Sequence, residues 1–400
     1  MKAYESSERY LGKVRECCNY AVRSAKSFVD KGDPTHRQAG GNGEVMLRET
    51  LKNDLTTFTD EVIENPFKVD QKAYVMSNMI TFILMALAAA LAIAAYFIKP
   101  MLIIGAFIFS ILALLGLFGV FGGTSKNIED VNIYAKRKQM GGLHHRVILQ
   151  ANLDAPFKRR LSRGTEALLK VLAFIGIIAQ AAYDVVLVLI DNGVLNFQFQ
   201  QTFVYLAFAL VPFVFAPLAL SLTVSANSSF PGVADNLVGA YAACGAMRYM
   251  SEMGLRLNET EFDVLLTSSK ATKNKGAKAF CKEFANELAG VDTTVICLDS
   301  IYNPDSLSIQ VKGRKLSKLF DQAAETAEVM VTDHNPKYHK SEAKVFEKAK
   351  INTALITTLP DEVPNFYRSE ADDAQNLNVK AVESAIKICL EAAYAIDSEE

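Results

Sequence analysis

The sequence predicts an α/β protein, a mixed β-sheet flanked by helices and interrupted by two transmembrane helical hairpins. Three observations predict it: paired apolar runs about as long as a bilayer is thick, short β-branched runs alternating with helical ones after the second pair, and turn-rich breaks between them.

The elements follow in chain order. Tyr10 to Lys31 and Glu44 to Glu64 read as helices divided by the turn-rich GDPTHRQAGG. The opening MKAYESSERYLGKVRECC is polar and charged where a signal peptide needs an apolar stretch, so no cleaved export signal is expected. Met76 to Ile98 carries no charge and has roughly the 20 residues that cross a hydrocarbon core. Lys99-Pro100 breaks the run, and Met101 to Phe121 supplies a second span after a turn that only an antiparallel hairpin accommodates. Ala167 to Ile190 and Phe203 to Leu222 form the second pair around DNGVLNFQFQQT, giving four spans in all. Lys170 can snorkel to the interface, whereas Asp184 and Gln180 must face other helices or a polar cavity. For Asp184 a functional and a structural reading both stand. Pro212 and Pro217 kink the fourth span.

Two hairpins, 76–121 and 167–222, return the chain to its starting side, so 1–75, 122–166 and 223–400 share one compartment and are expected to build one discontinuous soluble domain. The segment after the first hairpin carries Lys126, Lys136, Arg137, Lys138, Arg146, Lys158, Arg159, Arg160 and Arg163, while the loop between the third and fourth spans has no lysine or arginine. By the positive-inside rule this multi-pass protein of the cell membrane has its soluble domain and both termini in the cytoplasm. Unpaired cysteines agree: Cys17, Cys18, Cys244, Cys281, Cys297 and Cys389 show no CxxC pair and no disulfide or zinc spacing.

Candidate strands are Val147 to Gln150, Phe262 to Thr267, Thr294 to Leu298, Val329 to Thr332 and Asn352 to Ile356. Candidate helices are Leu237 to Met250, Lys275 to Leu288, Lys315 to Ala327, Ser341 to Lys348 and Val379 to Ala395, the last capped by Asn378. The stretch 122–166 offers little more than one strand. Mean hydropathy is +0.14 with half of the residues hydrophobic, which fits apolar residues gathered in blocks. A near balance of 42 basic and 44 acidic residues argues against nucleic acid as a partner.

The order of motifs is familiar. Asn152-Leu153-Asp154 ends a strand; Pro231-Gly232-Val233-Ala234-Asp235-Asn236-Leu237-Val238-Gly239 follows; Leu265 to Ala271 leads into Gly276-Ala277-Lys278-Ala279-Phe280; Val295 to Asp299 ends another strand; Asn365 to Ser369 precedes Asp372-Asp373. In this order and spacing the chain resembles the M28 family of zinc aminopeptidases, whose members show HxD, PGxxDNxSG, a Glu-Glu pair before a GxxGxxxF-like helix start, a strand-end Asp and a late YHT-like turn. Gly32 to Gly40 is similar to the family's opening turn, so the resemblance spans nearly all of the non-membrane sequence.

The resemblance implies two zinc ions, a bridging Asp and a Glu general base. Carried over residue by residue, the bridging Asp is Asp235 and a terminal metal Asp is Asp299. The first ligand histidine is replaced by Asn152, the general base by Lys270, the next carboxylate by Ala271 and the final histidine by Arg368; Asp154, which orients the base in the family, is kept. Ammonium and guanidinium groups cannot ligate zinc, and each adds positive charge where an ion would sit. Lys270 and Arg368 can neutralise Asp235 and Asp299 without metal, so the expectation is a salt-bridged cluster, no cofactor, and a degenerate cleft of Asn152, Asp154, Asp235, Lys270, Asp299 and Arg368.

The expected function is a membrane-anchored pseudopeptidase that binds an unknown protein, peptide or small ligand. One rival is an active zinc aminopeptidase with shifted ligands such as His334 beside Asp235 and Asp299. Catalysis by Cys297 or Cys244 is weaker, since neither has an adjacent histidine. Another is a transport component using Asp184, Gln180 and the kinked fourth span, which would require homo-oligomers.

Overall fold

The computed structural model describes residues 7–124, 128–195 and 201–398, and Lys126, counted above in the positive-inside expectation, lies outside them. The chain divides into two compact units: Met1–Val69 with Glu129–Phe157 and Asn227–Glu400, and Asp70–Ile128 with Lys158–Ala226. In chain order the elements are α1 (Ser7–Lys31), α2 (Asn42–Phe58), β1 (Glu61–Val69), α3 (Ala73–Phe97), α4 (Leu102–Leu117), β2 (Ile128–Arg137) and β3 (His145–Asn152). Then come β4 (Phe157–Arg159), α5 (Arg163–Asp191), α6 (Gln201–Thr223), β5 (Val224–Ser229), α7 (Val238–Glu252) and β6 (Thr260–Thr267). The chain ends with α8 (Lys275–Glu283), α9 (Ala285–Ala289), β7 (Asp292–Leu298), β8 (Ser308–Val311), α10 (Arg314–Thr326), α11 (Ala343–Lys348), β9 (Asn352–Thr357) and α12 (Val379–Asp397).

The larger unit is built on a seven-stranded sheet of order β1-β2-β6-β3-β7-β9-β8. β3 runs parallel to β6 and β7, and β7 parallel to β9, whereas β2 and β8 are antiparallel to their neighbours β6 and β9. Period-two alternation divides the side chains between two cores. Val147, Leu149, Val264, Leu266, Ile296, Leu298, Ala354 and Ile356 pack with residues of α1, α7, α10 and α12. Ile148, Leu265, Val295, Cys297 and Leu355 pack on the other face with Phe280 of α8 and Phe346 of α11. Such double burial explains why these strands read as unbroken apolar runs. Asn378 caps α12 as expected, its side chain accepting from the Lys380 and Ala381 amides.

Three expectations need correction. The helix expected over Glu44 to Glu64 ends at Phe58, and Glu61–Val69 is a strand in which only two side chains are buried. A mixed polar sequence at a sheet edge leaves no clear alternation to read. Val329 to Thr332 forms no strand, its Thr332 amide donating instead to the Leu307 carbonyl; the edge place beside β9 is taken by β8, with Ile309 opposite Ile356. The stretch 122–166 supplies two strands of the central sheet, not one.

In the smaller unit α3, α5 and α6 are long and apolar enough to cross a membrane. α4 is shorter, 16 residues or about 24 Å of helix against a hydrocarbon core of roughly 30 Å. Gly119, in the left-handed region at φ 82°, closes its end and turns the chain away. Asp184 is fully buried, accepting from Ser110 Oγ and Gln180 Nε2, each at 2.9 Å, so it faces neighbouring helices.

Candidate functional site

Because β3, β6, β7 and β9 run parallel, their carboxyl ends share one edge of the sheet, the place where α/β sheets present functional side chains. Asn152–Asp154 follows β3, Ser268–Lys270 follows β6, and Asp299 follows β7. The turn through Val233–Leu237, which contains a cis Asp235–Asn236 peptide, brings in Asp235; the loop before α12 brings in Arg368.

Of the six residues named from the sequence, the side chains of Asn152, Asp235, Lys270, Asp299 and Arg368 are joined by hydrogen bonds, with Lys270 central, and Asp154 lies behind them against the Lys270 backbone. The Lys270 ammonium donates to both Asp299 oxygens at 2.7 and 2.8 Å, to Asp235 Oδ1 at 3.3 Å and to Asn152 Oδ1 at 3.2 Å. Arg368 donates through Nε to Asp235 Oδ2 at 3.2 Å, and its guanidinium lies over the Tyr367 ring. Asp235, Asp299 and Lys270 are buried; the Arg368 side chain keeps 26% of its surface exposed. Burial alone would favour neutral groups here, but mutual attraction prevails. Asp299 sits well below the usual carboxylate range, burial being outweighed by His339 and Lys270. Asp235 is lowered too, with Lys270 and Arg368 outweighing burial. The Lys270 and Arg368 pKa values are raised by the same carboxylates against the pull of burial.

Asp154 touches none of these charged tips. Its two oxygens accept from the Lys270 and Ala271 amides, each at 2.9 Å, and burial raises its pKa to about 6. Asp130 grips the same turn from the other side, accepting from the Ser268 and Ser269 hydroxyls. These bonds hold Ser269 at φ 62°; Ser300 beside Asp299 (63°) and Arg368 itself (55°) are likewise left-handed. Such conformations cost a non-glycine residue on the order of 1 kcal/mol and concentrate where neighbours over-determine the backbone.

Sequence reasoning missed three participants. His339 Nε2 lies 2.9 Å from Asp299 Oδ2, and its Nδ1 lies 3.0 Å from the Tyr367 hydroxyl. His334, the histidine considered as a rescue ligand, instead meets Asp361 near the surface. Arg37, fully buried in the opening turn, donates to the carbonyls of Leu153, Pro231 and Gly232, tying the turns that carry Asp154 and Asp235. Glu342 lies buried under the site, accepting from Thr267 Oγ1 and Gln150 Nε2, with burial raising its pKa to about 8. Cys244 and Cys297 are buried, and burial pushes their thiol pKa values well up, unlike a nucleophile's.

The zinc that the sequence resemblance implies does not fit this arrangement. The Lys270 ammonium stands in contact with both carboxylates, so a divalent ion there would meet a fixed positive charge. Among the described residues no group of three or more His, Cys, Asp or Glu is set to hold a metal ion.

No family model matches the sequence, and no curated protein matches it. Solved structures do. The glutaminyl cyclase of Fimbriiglobus ruber is similar with a TM-score of 0.56 at 12% identity, over 94% of this chain and 95% of the other. BSAP, a zinc aminopeptidase from Bacillus subtilis, gives 0.55 at 11%, over 94% of each chain. The Legionella pneumophila LapA aminopeptidase gives 0.56 at 11%, over 100% of this chain and 76% of its own. Identities this low establish a likeness of fold, the aminopeptidase-like mixed sheet flanked by helices.

Proposed function

We propose that this chain is a membrane-anchored binding protein, an aminopeptidase-like domain that holds a protein or peptide partner without hydrolysing it. The observation that carries the reading is the Lys270 ammonium bonded to both Asp235 and Asp299, where zinc catalysis would require an open cation position. A side chain in that role also cannot accept a proton from water, so the general base of a hydrolase has no stand-in at position 270.

The cleft keeps one outward-facing group. The three protons of Lys270 are taken by Asn152, Asp235 and Asp299. Arg368 commits only Nε to Asp235 and remains partly exposed, so the ligand it suits is a carboxylate, such as a peptide C-terminus or an acidic side chain. The apolar helices of the smaller unit anchor the protein, with four spans, and with the soluble unit and both termini on the cytoplasmic side. Asp184 serves packing in this reading, its carboxylate satisfied by Ser110 and Gln180.

Metal analysis of the purified full chain, paired with turnover assays on aminoacyl and N-terminal glutaminyl reporter peptides, tests the proposal. The expected result is substoichiometric zinc, no chelator-sensitive turnover of either substrate, and saturable binding of free-acid peptides. Stoichiometric zinc with chelator-sensitive turnover overturns it.

A further inference from the structure

The smaller unit is electrically lopsided. Ser77 Oγ donates to the Gly116 carbonyl at 2.7 Å, the Tyr74 hydroxyl to Glu166 at 3.2 Å, and the Arg160 amide to the Thr223 carbonyl at 2.8 Å. These contacts place the start of α3, the end of α4, the start of α5 and the end of α6 at one end of the bundle. Lys72, Lys158, Arg159, Arg160 and Lys170 are exposed at this end, five of the six basic side chains described in the unit; the sixth, Lys99, lies in the α3–α4 turn at the other end.

The basic end is also organised. The buried Glu166 carboxylate pairs with Arg159 and Lys170, which keep 37% and 49% of their side-chain surface exposed. Two cations on one carboxylate leave a net positive charge held in place. Lys170 also reaches over the Tyr74 ring at 5.6 Å. Immediately beyond lie exposed apolar side chains, Leu161, Leu168 and Val171. A cationic collar meeting an apolar helix surface matches one kind of partner: a molecule with an anionic head and a hydrocarbon tail.

We propose that this end of the bundle is a docking site for anionic phospholipid headgroups, phosphate chemistry presented by the same membrane in which the helices sit. The inference rests on the membrane reading above but not on the fate of the zinc site. Each Lys or Arg near an anionic surface strengthens association by about 5-fold, and the effect weakens as salt rises.

The test reconstitutes the full chain with equal parts phosphatidylcholine and phosphatidylglycerol, extracts it gently in detergent and quantifies the retained lipid by mass spectrometry. The expected result is a preference for phosphatidylglycerol of about 10-fold or more, lost in Lys72→Gln/Lys158→Gln/Arg160→Gln and kept in Lys99→Gln. The triple variant leaves the Glu166 pairs with Arg159 and Lys170 intact. A chain that floats with vesicles but shows no lipid preference overturns the inference. So does displacement of the retained lipid by inorganic phosphate, which would make the site one for a soluble anion. A chain that stays soluble and does not float even with neutral vesicles overturns the membrane reading itself.

Discussion

Replacing Lys270 with methionine keeps an unbranched side chain, one atom shorter, and removes its charge and donors. Asp299 is then left with His339 Nε2 and the Ser300 hydroxyl, and Asp235 with Arg368, in a site where both carboxylates are buried. Removing one partner of a buried ion pair costs about 3–5 kcal/mol, because the remaining charge stays desolvated. At roughly 2 °C per kcal/mol for a domain of this size, Lys270→Met lowers Tm by about 6–10 °C. A thiol-reactive dye can follow the unfolding, since all described cysteines except the partly buried Cys281 are buried. The pH dependence sharpens the test. In the wild type the depressed Asp299 pKa contributes stability that is full above the unfolded value near 4 and is lost as pH falls through the folded value. In the variant, burial without the ammonium raises that pKa, so protonation relieves the strain as pH falls from 8 toward 5. The gap between the two proteins should therefore narrow on acidification. Lys270→Met/Asp299→Asn should recover at least half of the loss, since no unpaired charge remains at Asp299. A Tm within about 2 °C of wild type at pH 8, with no change on acidification, refutes the reasoning.

Further outcomes follow from the same geometry. Arg368→Gln removes a partly exposed pair worth about 1 kcal/mol; equilibrium dialysis should show that the variant no longer prefers free-acid peptides over their amides. Glu342 has its pKa raised to about 8, so it loses stability for the fold as pH rises from the unfolded value through 8. Glu342→Gln should match the wild type at pH 5 and exceed it at pH 9 by a few kcal/mol at most in denaturant titrations. In Gly276→Ala the new methyl would lie 2.1 Å from the Ser268 carbonyl and 2.5 Å from Asn132 Oδ1. That crowding should cost about 1–3 kcal/mol in thermal unfolding.

The parts of the fold legible in the sequence were those fixed by local pattern. β3, β6, β7 and β9 carry side chains buried on both faces, so their apolar runs announce them, and the long apolar runs announce the helical hairpins. The parts that were not legible depend on what a segment meets. Val329 to Thr332 has the composition of a strand, yet pairing beside β9 went to Ser308–Val311, whose polar mix gives no warning. The loop TDHNPKYH holds two histidines five residues apart, and nothing local says that His339 turns inward while His334 stays with Asp361. A buried arginine in the opening turn carried a signal of sorts. Arg37 has five donors and lies in a turn-rich stretch, but its carbonyl partners at 153, 231 and 232 are far away in sequence.

Asp154 bears on why the cluster persists at all. Both of its oxygens hold the backbone of Lys270 and Ala271. Asp372 does the same for the Ala234 and Asp235 amides, and burial raises its pKa to about 7. A site that needed only electrical neutrality could replace Lys270, Asp235 and Asp299 with apolar residues of similar volume, often with no loss of stability. Instead, buried carboxylates fix the turns, three residues are held left-handed around them, and a network reaching from Arg37 to Arg368 sets the shape of the sheet edge. Rigid polar scaffolding of that kind is costly to keep buried and is useful when a surface must present one geometry to a ligand. The group it presents is Arg368, anchored through Nε, backed by the Tyr367 ring and partly open to solvent. On the proposed reading, a carboxylate ligand would meet the site at this guanidinium.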